Sequence, residues 1–159
     1  MSPSEPEREP ITPDGLVALD REIEELETTA RREMAARILA ARELGDLSEN
    51  ADYHIAKEDQ AHLETKIKRL RQRRRDAQVT ETDAGDAVFA FGRTAEVLDE
   101  ASGNLHTWTI VGATEADLAQ GKLSAQSPVG QALLGSSAGD SVDVQTPGGT
   151  RSYRVKRLV

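Results

Sequence analysis

Apolar positions between residues 12 and 77 recur every three or four residues, the spacing of one face of an α-helix. In the first half Leu16, Leu19, Ile23, Leu26 and Ala30 carry the pattern. In the second half Leu63, Ile67, Leu70, Arg74 and Ala77 take equivalent steps. Thr12-Pro13 opens the first run: a threonine accepts from free amides at a helix start, and proline at the first helical position forfeits no hydrogen bond. Gly45 closes it just after Leu44, being free to adopt the left-handed backbone. The second run extends from about Glu49 to Ala77. A symmetric fold-back between the runs requires partner positions with a constant index sum. Leu16 with Ala77, Leu19 with Arg74, Ile23 with Leu70, Leu26 with Ile67, Ala30 with Leu63 and Ile38 with Ile55 all share the sum 93. The midpoint lies between Asp46 and Leu47, inside the loop. Two seams that agree on one turn predict an antiparallel coiled-coil hairpin over 12–77 with an acidic tip at 45–52. Helices of about thirty residues, at ~1.5 Å rise each, make a rod of roughly 45 Å. After Ala30 the next seam position is Glu33, and the apolar residue moves to Met34. That step resembles a stutter, which locally unwinds a supercoil. Arg74, on the seam near the base, is expected to carry its charge past its own stem to solvent.

Beyond Ala77 the period changes. Val79, Ala87–Phe91, Thr94–Leu98, Thr107–Val111, Val142–Gln145 and Tyr153–Leu158 read as strands, being β-branched or aromatic runs broken by Gly, Asn and Asp. Ser102-Gly103-Asn104 and Pro147-Gly148-Gly149 are turn signatures. Glu115–Gln120 reads as a short helix ending at Gly121, and Pro128–Leu134 as another, capped by Ser127 and stopped by Gly135. Residues 84–159 therefore predict a small α+β domain, and 78–83 a joint. Residues 1–11 contain three prolines and few apolar side chains, and predict a disordered lead-in.

Composition sharpens this picture. Only five residues are aromatic and 30% are charged, so a narrow seam suits the chain better than one thick core. The net charge of −8 argues against strong independent binding to nucleic acid, which phosphate neutralisation drives. There is no cysteine, hence no disulfide or thiolate chemistry. No apolar run approaches the ~18 residues of a membrane span, and the Pro- and Glu-rich start lacks a secretory signal. These features predict a cytoplasmic protein without membrane contact.

Chemistry concentrates in the turn Gly45–Asp52, where Asp46, Glu49 and Asp52 place three carboxylates at the end of the rod. Carboxylates on a rigid support can bind a hard divalent cation such as Mg²⁺, but this set is incomplete alone, because Mg²⁺ wants near-octahedral oxygen ligation. The competing reading is helix capping. Asp46-x-x-Glu49 has capping-box spacing, and acids suit the positive end of a helix. The basic run of Lys66, Lys68, Arg69, Arg71, Arg73, Arg74 and Arg75 reads as a solvated face paired with Glu22, Glu24, Glu25 and Glu27; the common sum sets Glu22 near Arg71 and Glu25 near Lys68. Arg37, Arg42 and Lys57 lie closer to the tip, where a strand reaching it would pass. Tyr53 either packs the tip or stacks on a base. His54 is expected to face water, and Trp108 to lie in a core. No zinc spacing, nucleophile triad, P-loop or dinucleotide fingerprint is present.

The stretch Ala41-Arg42-Glu43-Leu44-Gly45-Asp46-Leu47-Ser48-Glu49-Asn50-Ala51-Asp52-Tyr53-His54, continuing through Ala56-Lys57-Glu58, resembles the tip of the Gre transcript-cleavage factors of bacterial RNA polymerase. Ser127–Gly135, Gly139-Asp140-Ser141-Val142 and Thr146-Pro147-Gly148-Gly149 resemble the same family in the same order, so the likeness covers about residues 12–159. The resemblance implies an FKBP-like C-terminal domain that docks outside the polymerase near its secondary channel, and a coiled coil that enters the channel. It also implies that Asp46 and Glu49 help hold a Mg²⁺ shared with the polymerase, which then cleaves backtracked RNA. Arg37, Arg42, Lys57 and Tyr53 would contact RNA or polymerase near the tip. The chain would be a monomeric accessory factor and not an enzyme. Its partners would be the polymerase and the nascent RNA 3′ end. Two rivals are a non-cleaving channel binder and a coiled-coil chaperone or prolyl isomerase; an isomerase needs an aromatic-lined pocket, for which only Phe89, Phe91, Trp108 and Tyr153 are at hand.

Overall fold

The computed structural model describes residues 8–46, 48–81 and 87–159. Residues 1–7 of the expected lead-in, Leu47 of the turn, and 82–86 at the joint and the start of the following domain lie outside the described residues. The chain divides into two compact units, Leu16–Ala77 and Gln78–Val159, with Arg8–Gly15 joining the second.

The first unit is a helical hairpin. Its outgoing arm runs through α1 (Pro13–Glu25), a π-helical turn (Leu26–Ala30) and α2 (Arg31–Arg42); α3 (Ala51–Asp76) returns. Leu19, Ile38 and Ala41 on one arm and Ala56, Ile67 and Leu70 on the other are buried. The seam departs from the expected pairing near the tip. Ile55, expected opposite Ile38, is half exposed, and Ala56 is fully buried in its place. The π turn accounts for the stutter. The Arg31 amide reaches back five residues to the Leu26 carbonyl, and the Thr28 hydroxyl donates to the Glu24 carbonyl at 2.7 Å. A wider turn takes up extra residues and rephases the apolar stripe toward Met34 and Ile38.

Ion pairs flank the seam. Arg31 bonds Glu64 through both nitrogens of its fork at 2.9 Å, Arg37 bonds Asp59 at 2.7 Å and Arg74 bonds Asp20 at 2.7 Å. Lys66 lies 3.6 Å from Glu22, and Arg71 bonds Glu27. The run of cations is thus partly paired, as its solvated-face reading required. The partners differ: Arg71 takes Glu27 where Glu22 was expected, and Glu22 takes Lys66. Arg74 does reach solvent.

The second unit is an α+β domain. Its strands are β3 (Thr94–Asp99), β4 (Leu105–Val111), β5 (Lys122–Ser124), β6 (Ser141–Thr146) and β7 (Gly149–Leu158), ordered β5-β4-β3-β7-β6. All neighbours are antiparallel except β4 and β5. Alternate residues of β3, Ala95 and Val97, point inward and join Phe89, Trp108, Ile110, Leu123, Leu133, Val144, Tyr153 and Val155 in one core. The short helix α4 (Pro128–Leu133) supplies Leu133, and Ser127 caps it by accepting from the Gly130 amide at 3.0 Å.

Three expectations change here. Residues 9–11 are not disordered: they form strand β1 (Glu9–Ile11), paired with β2 (Ala77–Val79), and Ile11 is buried. The joint at 78–83 therefore begins inside a strand. Composition missed this because one apolar residue, Ile11, secures the segment. Ala87–Phe91 is not a strand but an irregular segment, bridged to the sheet unit at Val88–Ser137, with Phe89 fully buried. Glu115–Gln120 contains only one 3₁₀ turn, Leu118–Gln120, closed by Gly121 at φ 75°.

Glu115 has a different task. Its carboxylate accepts from the Thr12 amide at 3.1 Å, the Thr12 hydroxyl, and the Gly112 amide at 3.2 Å. The Thr12 hydroxyl in turn accepts from the Gly15 amide at 3.0 Å, the expected cap of α1. A Cβ on Gly15 would lie 1.8 Å from Glu115 Oε1, so glycine makes room for this latch.

Candidate functional site

The turn between α2 and α3 is built from both helix ends. The last carbonyls of α2 accept from Glu43 and Leu44 amides, and Gly45 at φ 126° then turns the chain where other residues would be strained. At the start of α3 the cap is Asn50, not Asp46 or Glu49. Its side-chain oxygen accepts from the Tyr53 amide at 3.1 Å, the usual service of an asparagine N-cap. Its amide nitrogen donates to the Ala41 carbonyl of α2 at 2.5 Å. One side chain thus ties the two arms together.

With Asn50 in place, the acids are released from capping. Asp46 Oδ1 accepts from the Ser48 amide at 3.0 Å and the Ser48 hydroxyl at 2.9 Å. Those bonds, the backbone one first, hold its carboxyl below the usual carboxylate range. Asp46 Oδ2 and the Glu49 carboxylate have no hydrogen-bond or ion-pair partner among the described residues. Both side chains are exposed. They line an open depression of about 370 Å³ with Leu44, Asn50, Ala51 and Asp52. Among the described residues no three His, Asp or Glu side chains converge to hold a metal ion. The chemistry available at the tip is anionic oxygen donation from the carboxylates of Asp46, Glu49 and Asp52 on a braced turn.

The basic and aromatic candidates divide. Arg42 lies over the Tyr53 ring, 5.7 Å from its centroid, and His54 meets the same ring edge-on at 5.7 Å. Tyr53 therefore packs the tip. Arg37 is engaged by Asp59, and Lys57 donates to Gln60 at 2.9 Å. Of the four, Arg42 and Tyr53 sit against the tip turn; Arg37 and Lys57 stand further along the arms. Ser48 and Asn50 were missed by sequence reasoning. Asparagine is a preferred N-cap, and Asn50 directly precedes the second helix, so its cap was open to detection; its bond to the other arm was not.

In the second unit Phe89, Trp108 and Tyr153 are buried in the core, with Trp108 and Tyr153 centroids 5.7 Å apart. These aromatics contribute to the hydrophobic core of the unit. No helix among the described residues is long and apolar enough to cross a membrane.

Two family models match: "Transcription elongation factor, N-terminal" over residues 9–79 and "Transcription elongation factor, GreA/GreB, C-term" over residues 84–158. Transcription elongation factor GreA of Rhodospirillum rubrum is 46% identical over 151 residues, which cover 94% of this chain and 96% of that protein. GreA of Anaeromyxobacter sp. (strain K) is 44% identical, covering 96% and 92%. GreA of Bacillus subtilis is 40% identical, covering 94% and 95%. Among solved structures, GreA factor homolog 1 (Gfh1) of Thermus thermophilus aligns over 96% of this chain and 99% of that one, at 27% identity and a TM-score of 0.43. Matching over both units and at this identity, the chain belongs to the GreA/GreB family of transcription elongation factors.

Proposed function

We propose that the hairpin enters the secondary channel of bacterial RNA polymerase and delivers Asp46 and Glu49 to the active site, where they promote cleavage of backtracked RNA. The observation that carries this reading is the division of labour at the tip. Asn50 caps α3, so Asp46 Oδ2 and the Glu49 carboxylate stay available for an external ligand.

The donor set fits a share of a Mg²⁺ shell. The ion prefers oxygen ligands, and two anionic oxygens on one turn supply part of an octahedron that the polymerase must complete. A Mg²⁺ so held would activate water and stabilise the leaving oxygen of the RNA. The chain's own contribution is positional. Ser48 fixes one oxygen of Asp46 and leaves the other outward. Gly45 and the Asn50 tie set where the turn points relative to the arms. The Ser48 bonds hold the Asp46 carboxyl below the usual carboxylate range. Arg42, parked on Tyr53, supplies a cation beside the turn that can face RNA phosphate, and Arg37 and Lys57 extend that character along the arms. The partners are the polymerase and the RNA 3′ end. The protein acts as a monomer and as an accessory to the polymerase's own activity.

The test is RNA cleavage in a purified, backtracked polymerase complex with Mg²⁺, with and without this protein. Faster cleavage supports the reading. No acceleration, with binding still measurable by competition, reassigns the chain as a non-cleaving channel binder.

A further inference from the structure

We infer that Asn50 is the positioning residue of the tip, acting through its bond to the opposite arm. This rests on the reading above, and it deepens it by naming what aims the carboxylates. The Asn50 side chain spends its two ends on different elements. Its oxygen caps α3 through the Tyr53 amide, and its nitrogen reaches the Ala41 carbonyl in the last turn of α2. That carbonyl already accepts from the Leu44 amide at 3.2 Å, so the second donor uses its remaining lone pair. The Asn50 backbone oxygen also accepts from the His54 amide at 3.2 Å. The residue is half-buried in a turn whose other described side chains are exposed.

The consequence is geometric. Asp46 and Glu49 lie between the two anchor points, Ala41 and Asn50. The Ser48 bonds fix Asp46 only within the turn. Among the described residues the turn is tied to the outgoing arm by the Leu44 amide on Ala41 and by the Asn50 side chain, with Gly45 between them carrying no side chain to brace it. Without the cross-arm bond the acids would keep their identity and exposure but lose a fixed direction. Misplacement by about 1 Å is enough to cost a reaction of this kind on the order of a hundredfold.

The two functions of the amide can be separated. Asn50→Asp retains a good cap acceptor and replaces the cross-arm donor with an oxygen that repels the Ala41 carbonyl. Asn50→Ser retains a cap, adds no charge and is too short to reach α2. Two readouts apply to both variants in the full-length chain. The first needs no polymerase: amide hydrogen exchange at Ser48 and Tyr53, read by NMR. The expected result is faster exchange at Ser48, with Tyr53 and the middle of both arms protected as in the parent. The second is cleavage in the backtracked complex as a function of factor concentration. The saturating rate should fall about tenfold or more, while the half-saturating concentration stays within about twofold, since docking is untouched. Unchanged Ser48 exchange in both variants would overturn the inference, and so would parent-level saturating cleavage by either. Loss of helix along the whole hairpin would overturn it too, because Asn50 would then hold the rod and not its tip. If the parent protein itself fails to stimulate cleavage, the functional reading fails, and the exchange experiment still decides the role of Asn50.

Discussion

At Asp46 the Ser48 amide and hydroxyl both bond one oxygen, and this is what depresses its carboxyl. A carboxyl whose folded pKa is lowered contributes stability above its unfolded value, and loses it as pH falls through the folded one. Ser48→Ala removes the hydroxyl and keeps the amide, so it should move the Asp46 titration part of the way upward, as followed by carboxyl-carbon NMR. The melting temperature should barely change, because the group is fully exposed. No upward movement would mean that the Ser48 hydroxyl does not orient Asp46, leaving only the backbone amide to do so. At this scale the sequence disclosed the acids but not their setting. Asp46-x-x-Glu49 has capping-box spacing, yet both acids go unused as caps because Asn50, one position nearer the helix, already accepts from the Tyr53 amide. Spacing alone cannot rank two candidate caps when backbone geometry at the turn decides between them.

Among the elements, the hairpin was legible because a long apolar seam is a redundant signal. A wrong pairing at one position leaves the others intact, as Ile38 and Ile55 illustrate. The common index sum assumes equal turns on both arms, and the π turn at Leu26–Ala30 breaks that equality. Beyond it, Ala56 becomes the buried partner and Ile55 turns outward. This shift can be measured by thermal or denaturant unfolding. Ala56→Leu should destabilise the hairpin by about 1–3 kcal/mol through overpacking. Ile55→Ala should fall within about 0.5 kcal/mol of the parent, as exposed sites do. Ile67→Ala should cost about 2–5 kcal/mol as a cavity in the seam. Equal effects at Ile55 and Ala56 would refute the shifted register. The flanking ion pairs matter less. Bonds from Arg71 and Arg31 hold Glu27 and Glu64 below the usual carboxylate range, yet all four groups are solvent-accessible and screened. Raising salt should leave the melting curve nearly unmoved. Short elements were less legible: Ala87–Phe91 has strand composition, but it forms no named strand, and it is held by burial of Phe89, a bridge at Val88 and the Phe89 amide on the Ser136 carbonyl.

Across the whole molecule, the α+β domain and its β3–β4 and β6–β7 hairpins follow from turn residues that the sequence displays openly, such as Gly103 and Pro147-Gly148-Gly149. Long-range polar contacts are invisible to such reading. Thr12 and Glu115 are 103 residues apart, and their bonds anchor the chain immediately after the segment that composition marked as disordered. Glu115→Ala should destabilise the unit by about 1–3 kcal/mol, the cost of leaving the Thr12 and Gly112 amides unpaired. A melting curve identical to the parent would show that the latch is dispensable. The family assignment rests on both units at once. The functional proposal rests on the few residues at the tip, so the decisive measurement belongs there. That measurement is the rate of RNA cleavage in a backtracked polymerase complex with Mg²⁺, at saturating factor, for the parent and an Asp46→Ala/Glu49→Ala double variant. Acceleration by the parent that disappears in the double variant, with polymerase binding and folding retained, is the predicted result. Equal acceleration by both proteins would contradict the account, because the carboxylates would then have no part in the chemistry.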